Sequence, residues 1–294
     1  MDNELLLYDR IEVIKATNQK YDLENNAYLS FSGGKDSTIL HYLLDMALPN
    51  NRIPRVFIDT GIEYKAIIEF VQALAQNDER FIIIRPSKPI VKILEEYGYP
   101  FKSKEHSCKL HEYQLGHYAP SILSYRDKER YGCPKILKYQ FDEGINLKIS
   151  HFCCHKLKKE PVMKWQRENK KQIAMTGMMR SEGGQRNTLH CILTNKSGKV
   201  VEFHPLAVVD KEWEDEFIKR NNIQLCKLYY PPYNFKRTGC KGCPFSLDLQ
   251  EQLEVMELYM PNERKQCEYI WKPVYDEYRR LNYRLKRVEK VKLF

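Results

Sequence analysis

AYLSFSGGKDSTILHYLLDMAL, Ala27 to Leu48, passes from a short β-rich apolar run through two glycines into a pattern with helical period. Ala27 to Ser32 reads as a strand, and Ile39, Leu40, Leu43 and Leu44 share one face of the helix that follows. Glycines at such a strand-to-helix junction let backbone N–H groups and the positive helix end face an anion, so phosphate is the expected guest.

Working outward, RVFIDT (55–60) is again apolar and β-branched, a helical stretch follows from Tyr64 to Gln76, and FIII (81–84) repeats the strand signal. Buried strands separated by helices predict a parallel sheet built from right-handed βαβ units. From about Phe101 to Ile149 the alternation weakens into a basic, irregular insert carrying Tyr and Cys. It resumes with a helical stretch after His155, a strand at QIAMTG (172–177), and helical patterns at 210–221 and 246–282. The fold class expected is α/β, a Rossmann-like parallel sheet flanked by helices, with a nucleotide-binding domain over 1–245 and a basic helical extension over 246–294.

The 294 residues are 43% hydrophobic and 30% charged, an ordinary globular balance, and no apolar run approaches the ~18 residues of a membrane span. The opening MDNELLLYDR lacks the basic-then-apolar order of a signal peptide. No membrane partner and a cytoplasmic location are expected. Nine cysteines, an odd number, suit metal binding better than a disulfide framework. The net charge of +9 is concentrated after Lys102 and in the tail, at Arg279, Arg280, Arg284, Lys286, Arg287, Lys290 and Lys292. Such an excess suits a polyanionic partner, nucleic acid among them, or a phosphorylated substrate.

Ser32-Gly33-Gly34-Lys35-Asp36-Ser37 spells SGGxDS, which is neither the Walker spacing nor GxGxxG. It resembles the PP-loop of the ATP pyrophosphatase, or adenine nucleotide alpha-hydrolase, superfamily, whose loop cradles pyrophosphate. Ile58 to Tyr64 contains Asp59-Thr60-Gly61 and resembles the "DTG" segment of the phosphoadenosine phosphosulfate (PAPS) reductase branch; an acidic residue at a carboxyl strand end can meet a ribose hydroxyl or a metal. Gly177 to Arg186 resembles that branch's "GxRxxES…R" segment, with Gly183 where the family has Ser. Arg180 and Arg186 are thereby expected to face phosphate or sulfate, which guanidinium forks match. His204-Pro205-Leu206 before Trp213 is similar to the family's "PL…W" stretch. The resemblance implies an adenosine nucleotide, either ATP with Mg²⁺ or PAPS or adenylyl sulfate (APS).

Adjacent thiols at Cys153 and Cys154 and a CxxC at Cys240 and Cys243 form a second constellation. Four thiolates suit an iron–sulfur cluster or zinc, and the residues alone leave both open. The pairing of CC with a distant CxxC resembles the [4Fe–4S] ligand set of assimilatory APS reductases, with Cys267 as an alternative ligand. Cys108, Cys133, Cys191 and Cys226 read as core or surface thiols, and His41 as a packing residue.

The C-terminal "ECGxH" segment that resembling sulfonucleotide reductases use to attack sulfur is missing, and only Cys267 stands in that region. The expected activity is therefore ATP alpha-hydrolysis that adenylates a substrate for sulfur transfer, as in the ATP pyrophosphatase of DNA phosphorothioation and in tRNA-thiolating enzymes, with a sulfur-donor protein as partner. Lys35, Asp36 and Arg180 are the candidate catalytic residues, Lys35 and Arg180 stabilising charge that develops on the phosphates. PAPS or APS reduction through Cys267 and nucleotide sensing on nucleic acid without turnover are the alternatives.

Overall fold

The computed structural model describes residues 3–128, 130–142 and 146–287. The chain opens with α1 (Asn3–Tyr21) and the short α2 (Leu23–Asn26), then β1 (Ala27–Ser30), α3 (Lys35–Ala47), β2 (Arg55–Ile58), α4 (Lys65–Asn77) and β3 (Phe81–Ile84). Next come α5 (Ile90–Tyr97), α6 (Lys104–Gln114), α7 (Pro120–Asp127), a 3₁₀ turn (Lys135–Phe141), α8 (Phe152–Cys154) and α9 (Glu160–Glu168). The strands β4 (Ile173–Met175), β5 (Ile192–Thr194) and β6 (Val200–Phe203) precede α10 (Lys211–Arg220), α11 (Leu249–Tyr259), α12 (Pro261–Ile270) and α13 (Lys272–Leu281). Among the described residues no helix is long and apolar enough to cross a membrane.

Contacts divide the chain into two interleaved units. One holds Met1–Asp59, Lys65–Arg85 and Pro161–Thr238, and the other Thr60–Tyr64, Pro86–Glu160 and Gly239–Phe294. The linear boundary expected near 245 falls inside the second unit.

The first unit is the sheet, ordered β3-β2-β1-β4-β6-β5. Every neighbouring pair is parallel except β5 with β6. Continuous apolar runs form these strands because helices cover them: Leu29 and Val56 are buried, and α3 sets Ile39, Leu40, Leu43 and Leu44 against them, all inaccessible. The strands expected at 27, 55, 81 and 172 are present. The β5–β6 hairpin was not expected, since only Val200 and Phe203 of its seven strand residues are buried and the apolar signal is correspondingly thin.

Strand order reverses between β1 and β4: the chain leaves β1 toward β2 on one side, while β4 and β6 lie on the other. Open α/β sheets hold ligands outside the carboxyl ends of strands at this reversal. The SGGKDS loop leaves β1 there, and Gly177 lies just beyond β4.

The second unit is helical. The stretch 101–149, expected to be irregular, contains α6 and α7. Ser103 caps α6 by accepting the His106 N–H at 3.1 Å, and Pro120 occupies the first turn of α7, where a missing N–H is harmless. Buried His106 ties the stretch together, with ring nitrogens 3.0 Å from the Tyr125 hydroxyl and 2.8 Å from Gln140 Oε1. The helical pattern at 246–282 resolves into α11, α12 and α13, because Pro261 and Pro273 each start a new helix. The tail arginines are engaged within this unit: Arg279 with Glu268, Arg280 with Glu277, and Arg284 with the Pro244 carbonyl. Lys290 and Lys292 lie outside the described residues.

Candidate functional site

The loop from Ser32 to Ser37 is a close-packed turn. The Ser32 and Ser37 hydroxyls lie 3.1 Å apart, the Gly34 N–H donates to Ser32 Oγ at 3.3 Å, and Ser37 Oγ donates to the Gly34 carbonyl at 2.9 Å. Gly33 has φ +70°, and a Cβ there would stand 2.8 Å from Ile67 Cγ2. Only glycine meets both conditions. Gly34 caps α3, and a Cβ on it would crowd Ser32 Oγ, Thr238 Oγ1 and the Tyr229 hydroxyl at 3.2 to 3.3 Å. Across the strand reversal Gly177 abuts the same turn, since its Cβ would lie 2.6 Å from the Asp36 carbonyl oxygen.

Two residues without a sequence signal complete the mouth. Tyr229 accepts the Lys35 N–H at 3.0 Å, and its hydroxyl meets Thr238 Oγ1 at 2.8 Å. The first free N–H of α3 thus rests against a hydroxyl.

Glu214 of α10 is the third unexpected member. Its side chain is 2% exposed, and Oε2 lies 2.5 Å from Lys35 Nζ. Oε1 is buried and receives no donor. The carboxyl is pushed up from 4.5 to about 7, chiefly by burial, with the Asp36 charge adding to it and Lys35 opposing. A signal for it exists: Trp213 and Phe217 mark the buried stripe of α10, and position 214 lies inside that stripe.

The other predicted nucleotide residues divide. Arg186 pairs with Glu182, as does Arg237, and feels the Asp36 charge, so it belongs to the loop's surroundings. Arg180 is exposed and donates Nε to the Leu189 carbonyl at 2.6 Å. Asp59 is held by Arg85 at 2.9 Å. In the second unit, Thr60 gives both its N–H and its hydroxyl to Glu63, closing a turn in which Gly61 takes φ +78°. His204, Leu206 and Trp213 of the "PL…W" stretch are core residues, all nearly inaccessible.

Cys153, Cys154, Cys240 and Cys243 all belong to the second unit. Cys153 and Cys154 hydrogen-bond to each other, which raises the Cys153 thiol and lowers that of Cys154; Lys104, Lys158 and Lys159 also favour the Cys154 thiolate. Burial raises the Cys240 thiol, and burial with the neighbouring Cys240 charge pushes Cys243 up to about 12. Lys158 is held in its charged form by Cys240 first, then by Glu63 and Cys154. The four thiols therefore sense one another, and three of them, Cys154, Cys240 and Cys243, also sense the Lys158 ammonium. Among the described residues no group of three or more His, Cys, Asp or Glu is arranged to hold a metal ion. Cys267, the alternative ligand, lies against the same CxxC turn: it is inaccessible in α12, its Sγ would lie 2.7 Å from a Cβ on Gly242, and burial pushes its thiol up to about 12.

The family model of the phosphoadenosine phosphosulfate reductase domain matches residues 26–115 and 128–246. An uncharacterized protein of Methanocaldococcus jannaschii is 25% identical over 251 residues, 84% of this chain. The chain spans 48% of that relative's length. Among solved structures, PAPS reductase from Candida auris superposes with a TM-score of 0.46 at 14% identity, covering 77% of this chain and 87% of that one. The NH3-dependent NAD synthetase of Campylobacter jejuni gives a TM-score of 0.43 at 13% identity, covering 93% and 94%.

Proposed function

The chain belongs to the phosphoadenosine phosphosulfate reductase domain family, and from that premise we propose that it is an ATP alpha-hydrolase that adenylates a substrate for sulfur transfer. The observation that carries this reading is the loop itself: Gly33, which tolerates no side chain, and Gly34, where a Cβ would crowd the mouth, at the head of a 13-residue helix, with Lys35 beside them at the strand reversal. The N–H groups of the loop and the Lys35 ammonium would receive the β,γ-pyrophosphate. A nucleophile of the second substrate would attack the α-phosphorus, the bond to the pyrophosphate oxygen would break, and the charge would come to rest on a leaving group already bound by donors. Mg²⁺ carried in with ATP would screen the same phosphates.

Lys35 and Asp36 stand at this mouth. Arg180 is the weaker catalytic candidate, because its Nε is engaged by Leu189. The second substrate proposed is nucleic acid, on the net charge of +9, with a sulfur-donor protein supplying the replacing atom. The engaged tail arginines leave that attraction to other basic residues.

We further propose that Cys153, Cys154, Cys240 and Cys243 hold a [4Fe–4S] cluster. Four thiols that sense one another, three of them beside Lys158, fit a group that needs thiolates and leaves net negative charge. When bound, the cluster would cross-link α8 to the 240–243 turn. Zinc, which needs four ligands at one tetrahedral centre, is the competing occupant.

Reduction of PAPS or APS is the second reading, and Cys267 argues against it. A thiol with no solvent access and a raised pKa is a poor nucleophile. The deciding experiment supplies MgATP, with DNA or RNA as acceptor, and separately PAPS and APS with thioredoxin. Pyrophosphate release without sulfite is expected. Sulfite release that is lost in Cys267→Ser at unchanged iron content would replace this reading by the reductase.

A further inference from the structure

Lys35 has a carboxylate partner beside the loop. Its ammonium sits 2.5 Å from Glu214 Oε2 in a pair whose side chains are 17% and 2% exposed. The Asp36 carboxyl stands within hydrogen-bonding reach of the same glutamate. Glu214 Oε1, buried, has no donor. Two adjacent carboxylates are both acceptors, so only a proton or a cation makes them partners. Lys35 supplies that cation to Glu214.

We propose that Glu214 is the resting partner of Lys35, and that a phosphate entering the loop takes the ammonium over, leaving the Glu214–Asp36 pair to bind one proton from water. This inference rests on the reading of the loop as a nucleotide site. A buried carboxylate stripped of its cation carries a large penalty, and the incoming phosphate adds negative charge beside it. Protonation removes both. The position of Glu214, already poised near neutrality, places the exchange in a pH range where it can be measured.

The groups facing the pair are few. Lys35 and Asp36 come from α3. Arg186, with Arg237 near it, and the Tyr229 hydroxyl reach the pair through the Asp36 charge. Further along α10, Glu216 receives Asn3 and Arg220 pairs with Glu4, so α1 meets other residues of that helix. Glu214 is thus the group here whose proton affinity depends most directly on where Lys35 points.

The test is calorimetric titration of the full chain with MgATP in buffers of different ionisation enthalpy, at pH 6 and pH 8, for wild type and Glu214→Gln. Wild type is expected to take up close to one proton per nucleotide at pH 8 and almost none at pH 6. Its affinity should fall by up to about tenfold per pH unit above 7. The Gln variant should bind with no such uptake and a flat pH profile, and the same ligand measured on it subtracts the nucleotide's own titration. Wild-type binding without proton uptake at pH 8, or equal uptake by the variant, overturns the inference and leaves the nucleotide reading standing. Absence of MgATP binding by wild type at either pH sinks both. A role of Glu214 in packing alone would alter affinity without altering proton number.

Discussion

Replacing Glu214 by Gln should shift stability in the variant's favour by an amount that grows with pH. The side chain is buried, its carboxyl is raised from 4.5 to about 7, and burial is the leading cause. Between those two values the native state holds a proton that the unfolded chain has released. Unfolding free energy therefore falls as pH rises through that window. At about 1.4 kcal/mol per pKa unit, wild type gives up about 3 kcal/mol between pH 4.5 and pH 8 through this one group. Glutamine has the same shape and does not titrate, so the gap between variant and wild type should widen by that amount over the same range. The Lys35 ion pair forms only with the ionised carboxylate and is already contained in that value, so what cancels in the comparison is any pH-independent packing difference between Glu and Gln. With a urea m-value of about 3 kcal/mol/M, the midpoint difference should change by about 1 M. Urea unfolding followed by tryptophan fluorescence at pH 5, 6, 7 and 8 measures it, with Trp213 adjacent to the substituted residue. A difference that stays flat across pH, or that shrinks as pH rises, would refute the reasoning.

Gly34→Val should leave the fold intact yet abolish MgATP binding, because its branches would press on Ser32, Thr238 and Tyr229 where the anion enters; unchanged affinity in a folded variant would remove the loop from the site. Cys240→Ser and Cys243→Ser should lose iron and sulfide from anaerobically prepared protein, whereas Cys267→Ser should retain them. Stoichiometric zinc in a colourless wild type would defeat the cluster assignment.

The sheet was largely legible because β1, β2 and β4 are largely covered, and such strands, like the edge strand β3 beside them, write themselves as unbroken apolar runs. The loop was legible because its six residues are contiguous. Glu214 was not: it lies among Glu212, Asp215 and Glu216, a stretch that reads as a solvated helix face until Trp213 and Phe217 turn one side inward. Tyr229 and Thr238 reach the loop only through folding, from about 200 residues downstream. Helices α6 and α7 stayed hidden because their buried positions include His106, Ser107 and His111, polar groups that only a finished hydrogen-bond network makes acceptable inside. The interleaving of the two units is a pattern of contacts, and no local run of residues encodes it.

The strand order has a consequence for how the chain is made. β1 is complete at Ser30, but its partner on one side, β4, begins only at Ile173. At ribosomal rates of about 5–20 residues per second, the apolar edge of β1 waits roughly ten seconds or more for its cover. Throughout that interval it is an open template for pairing with another nascent chain. A shortened chain that stops before β4 would keep that edge indefinitely, so fragments carrying the loop but lacking residues 173–203 should be recovered as aggregates, and the nucleotide loop cannot be studied as an isolated N-terminal piece.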